Sequence, residues 1–122
     1  MRVDGNDLAY LWDMVSATRG IASSIAGLRF EDYSANENLR LAVERRVEIL
    51  GEAARRLSEG FKHDHPELPW RRIIAQRNVL AHQYDDVDDE LMWRLVTQEV
   101  PGLRLALEAV LTSPPPDDIQ QL

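Results

Sequence analysis

Cysteine is absent from the chain, so neither a disulfide framework nor a thiolate-held metal is available to it. Lysine is nearly absent too: Lys62 is the single one among 14 basic residues, and the others are arginine. No apolar run approaches the length that spans a bilayer, and Met1-Arg2-Val3-Asp4-Gly5 does not read as a signal peptide. The expectation is therefore a cytoplasmic protein without a membrane partner. A Gly-rich phosphate loop, an internal repeat and a period-two strand pattern are all missing, which removes P-loop enzymes, solenoids and β folds. Excess positive charge is also lacking. The net charge of −7 argues against a surface that grips nucleic acid over many phosphates, but leaves room for a small arginine-built site.

At 122 residues, 44% hydrophobic and 29% charged, the chain has the make-up of one ordinary globular domain. A chain of this size buries roughly two-thirds of its unfolded surface. The domain is expected over residues 1–112, and Ser113 to Leu122, with Pro114-Pro115-Pro116, reads as a disordered tail.

Helical periodicity accounts for nearly all of that domain. A first helix is expected to be capped by Asn6 or Asp7, to carry Leu8, Leu11, Trp12, Val15, Ala22 and Ile25 on its core stripe, and to stop at Gly27. Leu28 to Tyr33 reads as a connection. Ser34-Ala35-Asn36-Glu37 has capping-box spacing ahead of a second helix that runs to about Ser58, with Gly60 ending it. Its stripe is Leu39, Val43, Val47, Leu50, Ala54 and Leu57, while Leu41 and Ile49 fall off it and imply a second covered face. His63 to Pro69 reads as a loop broken by two prolines. Its histidines lack a rigid element and a third partner, so they are expected to be solvated and no metal or cofactor is expected. Pro69 opens a third helix, from Trp70 to about Tyr84. A fourth carries Leu91, Leu95, Val96, Val100, Leu103, Leu107, Val110 and Leu111, with a kink at Pro101-Gly102. The fold class is all-α: an antiparallel bundle of four to five helices.

The third helix holds the residues that do not fit a scaffold. Trp70, Ile73, Ile74, Leu80, Ala81 and Tyr84 share one stripe, and Arg77 falls on it where a core residue belongs. A buried guanidinium needs an anion, a pocket or a partner chain. Asn78 and His82 stand one turn apart on the adjacent face, an orienting amide beside a group that can carry a proton at neutral pH. Glu52, on the second helix, either pairs with Arg56 along its own helix or faces Arg77 and holds its guanidinium.

Arg77-Asn78, three residues, His82, one residue, Tyr84 resembles the Arg-x4-His-x-Tyr signature of HEPN domains, in particular the HepT toxin family. Glu48-Ile49-Leu50-Gly51-Glu52-Ala53 is similar to that family's Ile-Gly-Glu-Ala helix. Pro66-Glu67-Leu68-Pro69-Trp70 is similar to its Pro-x-Ile-Pro-Trp lead, and Tyr10-Leu11-Trp12-Asp13-Met14 to the opening of its first helix. The resemblance runs from about Leu8 to Leu111. It implies a homodimeric, metal-independent endoribonuclease, the toxin of a toxin–antitoxin pair, whose MntA-type nucleotidyltransferase antitoxin transfers AMP to the motif tyrosine. On that reading Arg77 and His82 are the catalytic pair acting on RNA, Asn78 and Glu52 support them, and Tyr84 is the modified residue.

Five residues apart on a helix, Arg77 and His82 diverge by about 140°. Two motif helices meeting at a twofold axis are therefore expected to complete the site. Where the family often has Phe-Gly after the tyrosine, this chain has Asp85-Asp86 and stays acidic through Glu90, carboxylates that would repel RNA or recruit a basic partner. The alternative is a non-catalytic helical dimer that serves only as a nucleotidyltransferase's binding partner and substrate.

Overall fold

The computed structural model describes residues 5–75 and 88–112, and all regular structure among them is helical. In chain order the elements are α1 (Gly5–Ile25), α2 (Phe30–Ala35), α3 (Glu37–Arg56), α4 (Glu59–Asp64), the helical residues 70–75 (α5), α6 (Asp89–Arg94), a π-helical turn (Leu95–Glu99) and α7 (Val100–Thr112). The expected all-α architecture is what is seen.

α1 and α3 form the central antiparallel pair, with α7 against the other flank of α1. One core gathers Leu11, Met14, Leu50, Ala54, Phe61, Ile73 and Leu107; a second gathers Ile21, Tyr33, Val43, Val47, Met92, Val96 and Val100. The α3 stripe lies in these cores as its spacing predicts. The α1 stripe does so only in part: Leu11 and Val15 are fully buried and Ile25 packs against the second core, but Leu8 and Trp12 are exposed, and Met14, Ala17, Thr18 and Ile21 complete the buried face. Leu91 is exposed as well, and nothing among the described residues covers Leu41 or Ile49.

Several boundaries differ from those expected, each for a local reason. Asp7 is not a cap. Its buried carboxylate reaches α4 instead, accepting from the Ser58 backbone N–H at 2.8 Å and the Ser58 hydroxyl at 2.6 Å. Hydrogen bonds to a charged acceptor contribute about 1.5–3 kcal/mol each, so this tie fixes where α1 meets the chain after α3. Ser58 in turn caps α4 by accepting from Phe61 N. Gly60, His63 and Asp64 therefore lie inside a helix, and α3 ends two residues earlier than expected.

The stretch around Phe30 is α2, not a plain connection, because Tyr33 and Phe30 need a helical turn to reach Trp93. Ser34 belongs to that helix, and Asn36 is the cap of α3, its side chain accepting from Leu39 N at 3.1 Å. Gly27 does end α1, in the left-handed conformation at φ 74°, which glycine adopts without a Cβ penalty.

The break expected at Pro101 is displaced upstream. Pro101 has no N–H to give the Thr97 carbonyl, and its ring would crowd that oxygen. The preceding turn widens, Val100 N donating to Leu95 O five residues back, and Pro101 then sits within the first turn of α7.

Where α2, α3 and α6 meet, the fully buried Tyr33 hydroxyl has no hydrogen-bond partner among the described residues. Burial first, then Glu44 and Asp89, hold its proton on more tightly than in a free tyrosine. Beside it, burial and then the Asp89 carboxylate push the Glu44 carboxyl upward, against the pull of Arg40. A carboxyl so raised binds its proton better in the folded chain than in the unfolded one. Stability therefore falls as pH climbs from the ordinary carboxylate value to the raised one, and the penalty persists above it. Glu44→Gln is accordingly expected to melt higher than the parent at pH 7, with the gap closing near pH 4. Thermal melts at the two pH values check the sign.

Candidate functional site

Arg77, Asn78, His82 and Tyr84 lie outside the described residues. What the structure places is the approach to them and the departure from them. On the approach, Leu68 is buried and Trp70 is locked: its backbone N–H donates to Leu68 O at 2.9 Å and its indole N–H to His65 O at 2.9 Å. The ring meets Phe61 edge-on at 6.0 Å. His65 is not a freely solvated loop residue, since its ring packs 4.4 Å from Phe61 and Nδ1 lies 3.2 Å from a Glu67 carboxylate oxygen. α5 then starts behind Pro69, with Ile73 N donating to Pro69 O and the Ile73 side chain in the core.

A long-range ion pair secures the start of the same helix. Arg72 donates to Glu99, which the π turn presents from the other side of a small apolar cavity lined by Val47, Leu50, Ile73, Val100 and Leu103. At about 30 Å³ that cavity would hold a single water at most, so it is a packing seam and not a substrate pocket. On the departure, Asp88 caps α6, its carboxylate accepting from Glu90 N and Leu91 N.

Glu52 lies on α3 between two arginines. Arg55 donates to it at 2.7 Å and Arg56 at 2.9 Å, the helical pairing expected as one of its two roles. These bonds hold both guanidinium groups more firmly charged, and the Tyr10 hydroxyl adds to the effect on Arg56. The second role, holding Arg77, falls outside the described residues.

Two groups that spacing alone did not single out lie on the approach to the motif segment. Arg72 and Glu99 are 27 positions apart, beyond any periodic signal. Lys62, Arg71 and Arg72 line one open groove with Trp70. The adjacent arginines directly after Pro69-Trp70 were the available hint. Among the described residues no group of three or more His, Asp or Glu is arranged to hold a metal, and no helix is long and apolar enough to cross a membrane.

An all-helical domain with the Pro-Trp lead docked and the Gly-Glu-Ala helix in its core defines a class. The chain belongs to the HepT-like family of ribonucleases, whose model matches residues 14–110. Among individual relatives, a Thermococcus cleftensis protein named as ribonuclease HepT is 36% identical over 95 residues, covering 78% of this chain and 86% of its own length. A Methanocaldococcus jannaschii protein is 30% identical over 102 residues, covering 84% of this chain and 94% of its own. A Caldanaerobacter subterraneus subsp. tengcongensis protein is 29% identical over 102 residues, covering 84% and 91%. No solved structure gives a significant match.

Proposed function

We propose that this chain is an endoribonuclease toxin that cuts RNA without a metal ion. Arg77 and His82 from each of two identical subunits converge on one strand, supported by Asn78 and Glu52. What carries the reading is the coincidence of the family match over residues 14–110 with Arg77, His82 and Tyr84 at the signature spacing. In the reaction a 2′-hydroxyl loses its proton to a base and attacks the adjacent phosphorus. The 5′-oxygen leaves with a proton from an acid, giving a 2′,3′-cyclic phosphate and a 5′-hydroxyl. His82 supplies the proton work and Arg77 clamps the phosphorane oxygens.

Control falls to Tyr84. Its phenolic oxygen attacks the α-phosphate of ATP on an MntA-type nucleotidyltransferase antitoxin, the phenolic proton is lost and pyrophosphate leaves. Seven residues from Arg77, and nearly in helical register with it, an AMP on Tyr84 would set a phosphate beside that guanidinium and fill the RNA cleft.

The test is cleavage of single-stranded RNA by the purified full chain in excess EDTA, with the product ends analysed. Cyclic phosphate ends are expected; intact RNA, or cleavage that stops with EDTA, overturns the mechanism. Co-expression with the antitoxin should add whole AMP units to the intact mass, and Tyr84→Phe should abolish the gain. A gain that survives Tyr84→Phe removes Tyr84 from the switch.

A further inference from the structure

We infer that the open groove between α4 and the start of α5 is a seat for single-stranded RNA, holding nucleotides that flank the scissile phosphate. The inference deepens the ribonuclease reading and rests on it for the identity of the ligand. The groove encloses about 470 Å³ and is lined by Lys62, Trp70, Arg71 and Arg72 with Pro66 and Pro69 between them. That volume is within the range of small-ligand sites, roughly 300–1,000 Å³.

Acids outnumber bases 21 to 14 in the chain, yet among the described residues no acid lines this groove. Two of its cations are already engaged: Lys62 with Glu59 and the Arg55 carbonyl, and Arg72 with Glu99. Arg71 is exposed and makes no ion pair among the described residues, so the uncompensated charge of the groove is its guanidinium. A guanidinium forks onto phosphate oxygens and also stacks on bases, and an aromatic ring between cations is the composition of sites that hold unpaired nucleotides. A duplex would hide the base faces such a groove can use. Stacking on an aromatic face and pairing with phosphate take any base, so the seat is expected to tolerate sequence. Its last residue precedes Arg77 by only five positions.

The experiment measures anisotropy of a labelled oligoribonucleotide of about ten residues, titrated with the full chain in EDTA between roughly 50 and 200 mM salt. All proteins in the binding arm carry His82→Ala, so the probe stays intact. Adding Arg71→Glu should weaken binding at least about tenfold and make the salt dependence shallower by about one ion. Arg29→Glu, a reversal at an exposed arginine away from the groove, should stay within about twofold, and circular dichroism should be the same for both.

Equal losses in the two variants would reduce the effect to overall charge and overturn the groove. So would wild-type RNA affinity in Arg71→Glu, including the case where the variant loses only an acidic protein partner. In that event parent cleavage of RNA would leave the nuclease reading standing. Binding through Arg71 by a parent chain that never cuts would do the reverse.

Discussion

His82→Ala is expected to slow RNA cleavage by about 10²–10⁴-fold while leaving the melting temperature unchanged. The size follows from what a positioned acid or base contributes to proton transfer in the transition state. Arg77→Ala should fall in a similar range for another reason, because it strips positive charge from the phosphorane, where one well-placed donor accounts for about 10²–10³-fold. Joining the two should cost little more than the worse single change if they act on one phosphate as a unit. Multiplying losses would instead place them at separate steps. Single-turnover cleavage of one labelled RNA by the three variants decides it. A His82→Ala chain that keeps half the parent rate moves the proton chemistry to another residue, whatever the family.

The fold was legible where one helix buries one stripe. Leu39, Val43, Val47, Leu50, Ala54 and Leu57 recur at helical spacing, and α3 buries that face between α1 and the remaining helices. α1 was legible only in part, Leu11 and Val15 being buried as expected, because it packs on two sides. Thr18 and Ala17 lie in the interior despite weak hydrophobicity, while Leu8 and Trp12, the better apolar candidates, stay in solvent. Asp7 could not be assigned from spacing, since its partner Ser58 is 51 residues away. Pro101 announced a break, but the backbone absorbs it one turn earlier, where Val100 reaches back to Leu95.

The site divides in the same way. Arg77, Asn78, His82 and Tyr84 form a local pattern and can be picked out from one segment. The Arg72–Glu99 tie and the groove beside Lys62 depend on which elements meet, and no short-range rule reports that. Glu52 falls between the two: its pairing with Arg55 and Arg56 is helical arithmetic, while any reach toward the motif is a matter of tertiary placement.

Leu107→Ala is expected to destabilise the domain by about 3 kcal/mol, and Leu105→Ala, two residues away, by no more than about 0.5 kcal/mol. Leu107 is fully buried among Leu11, Met14 and Leu103, whereas Leu105 is 70% exposed. Truncating the first removes the transfer free energy of its methyl groups and leaves a cavity between two long helices that cannot close around it. For a domain of this size the loss corresponds to a fall of roughly 10 °C in melting temperature, compared at one protein concentration so that any self-association cancels. Because α7 begins just beyond Glu99, which holds Arg72, loosening α7 also tests whether the scaffold reaches the chemistry. Below its melting temperature a folded Leu107→Ala chain should cut RNA at the parent rate per molecule, since the Arg72–Glu99 pair lies two turns from the cavity. His82→Ala should show the opposite pattern, full stability with little cleavage. A Leu107→Ala chain that stays folded yet loses cleavage in step with its stability would mean that α7 helps hold the catalytic groups in place.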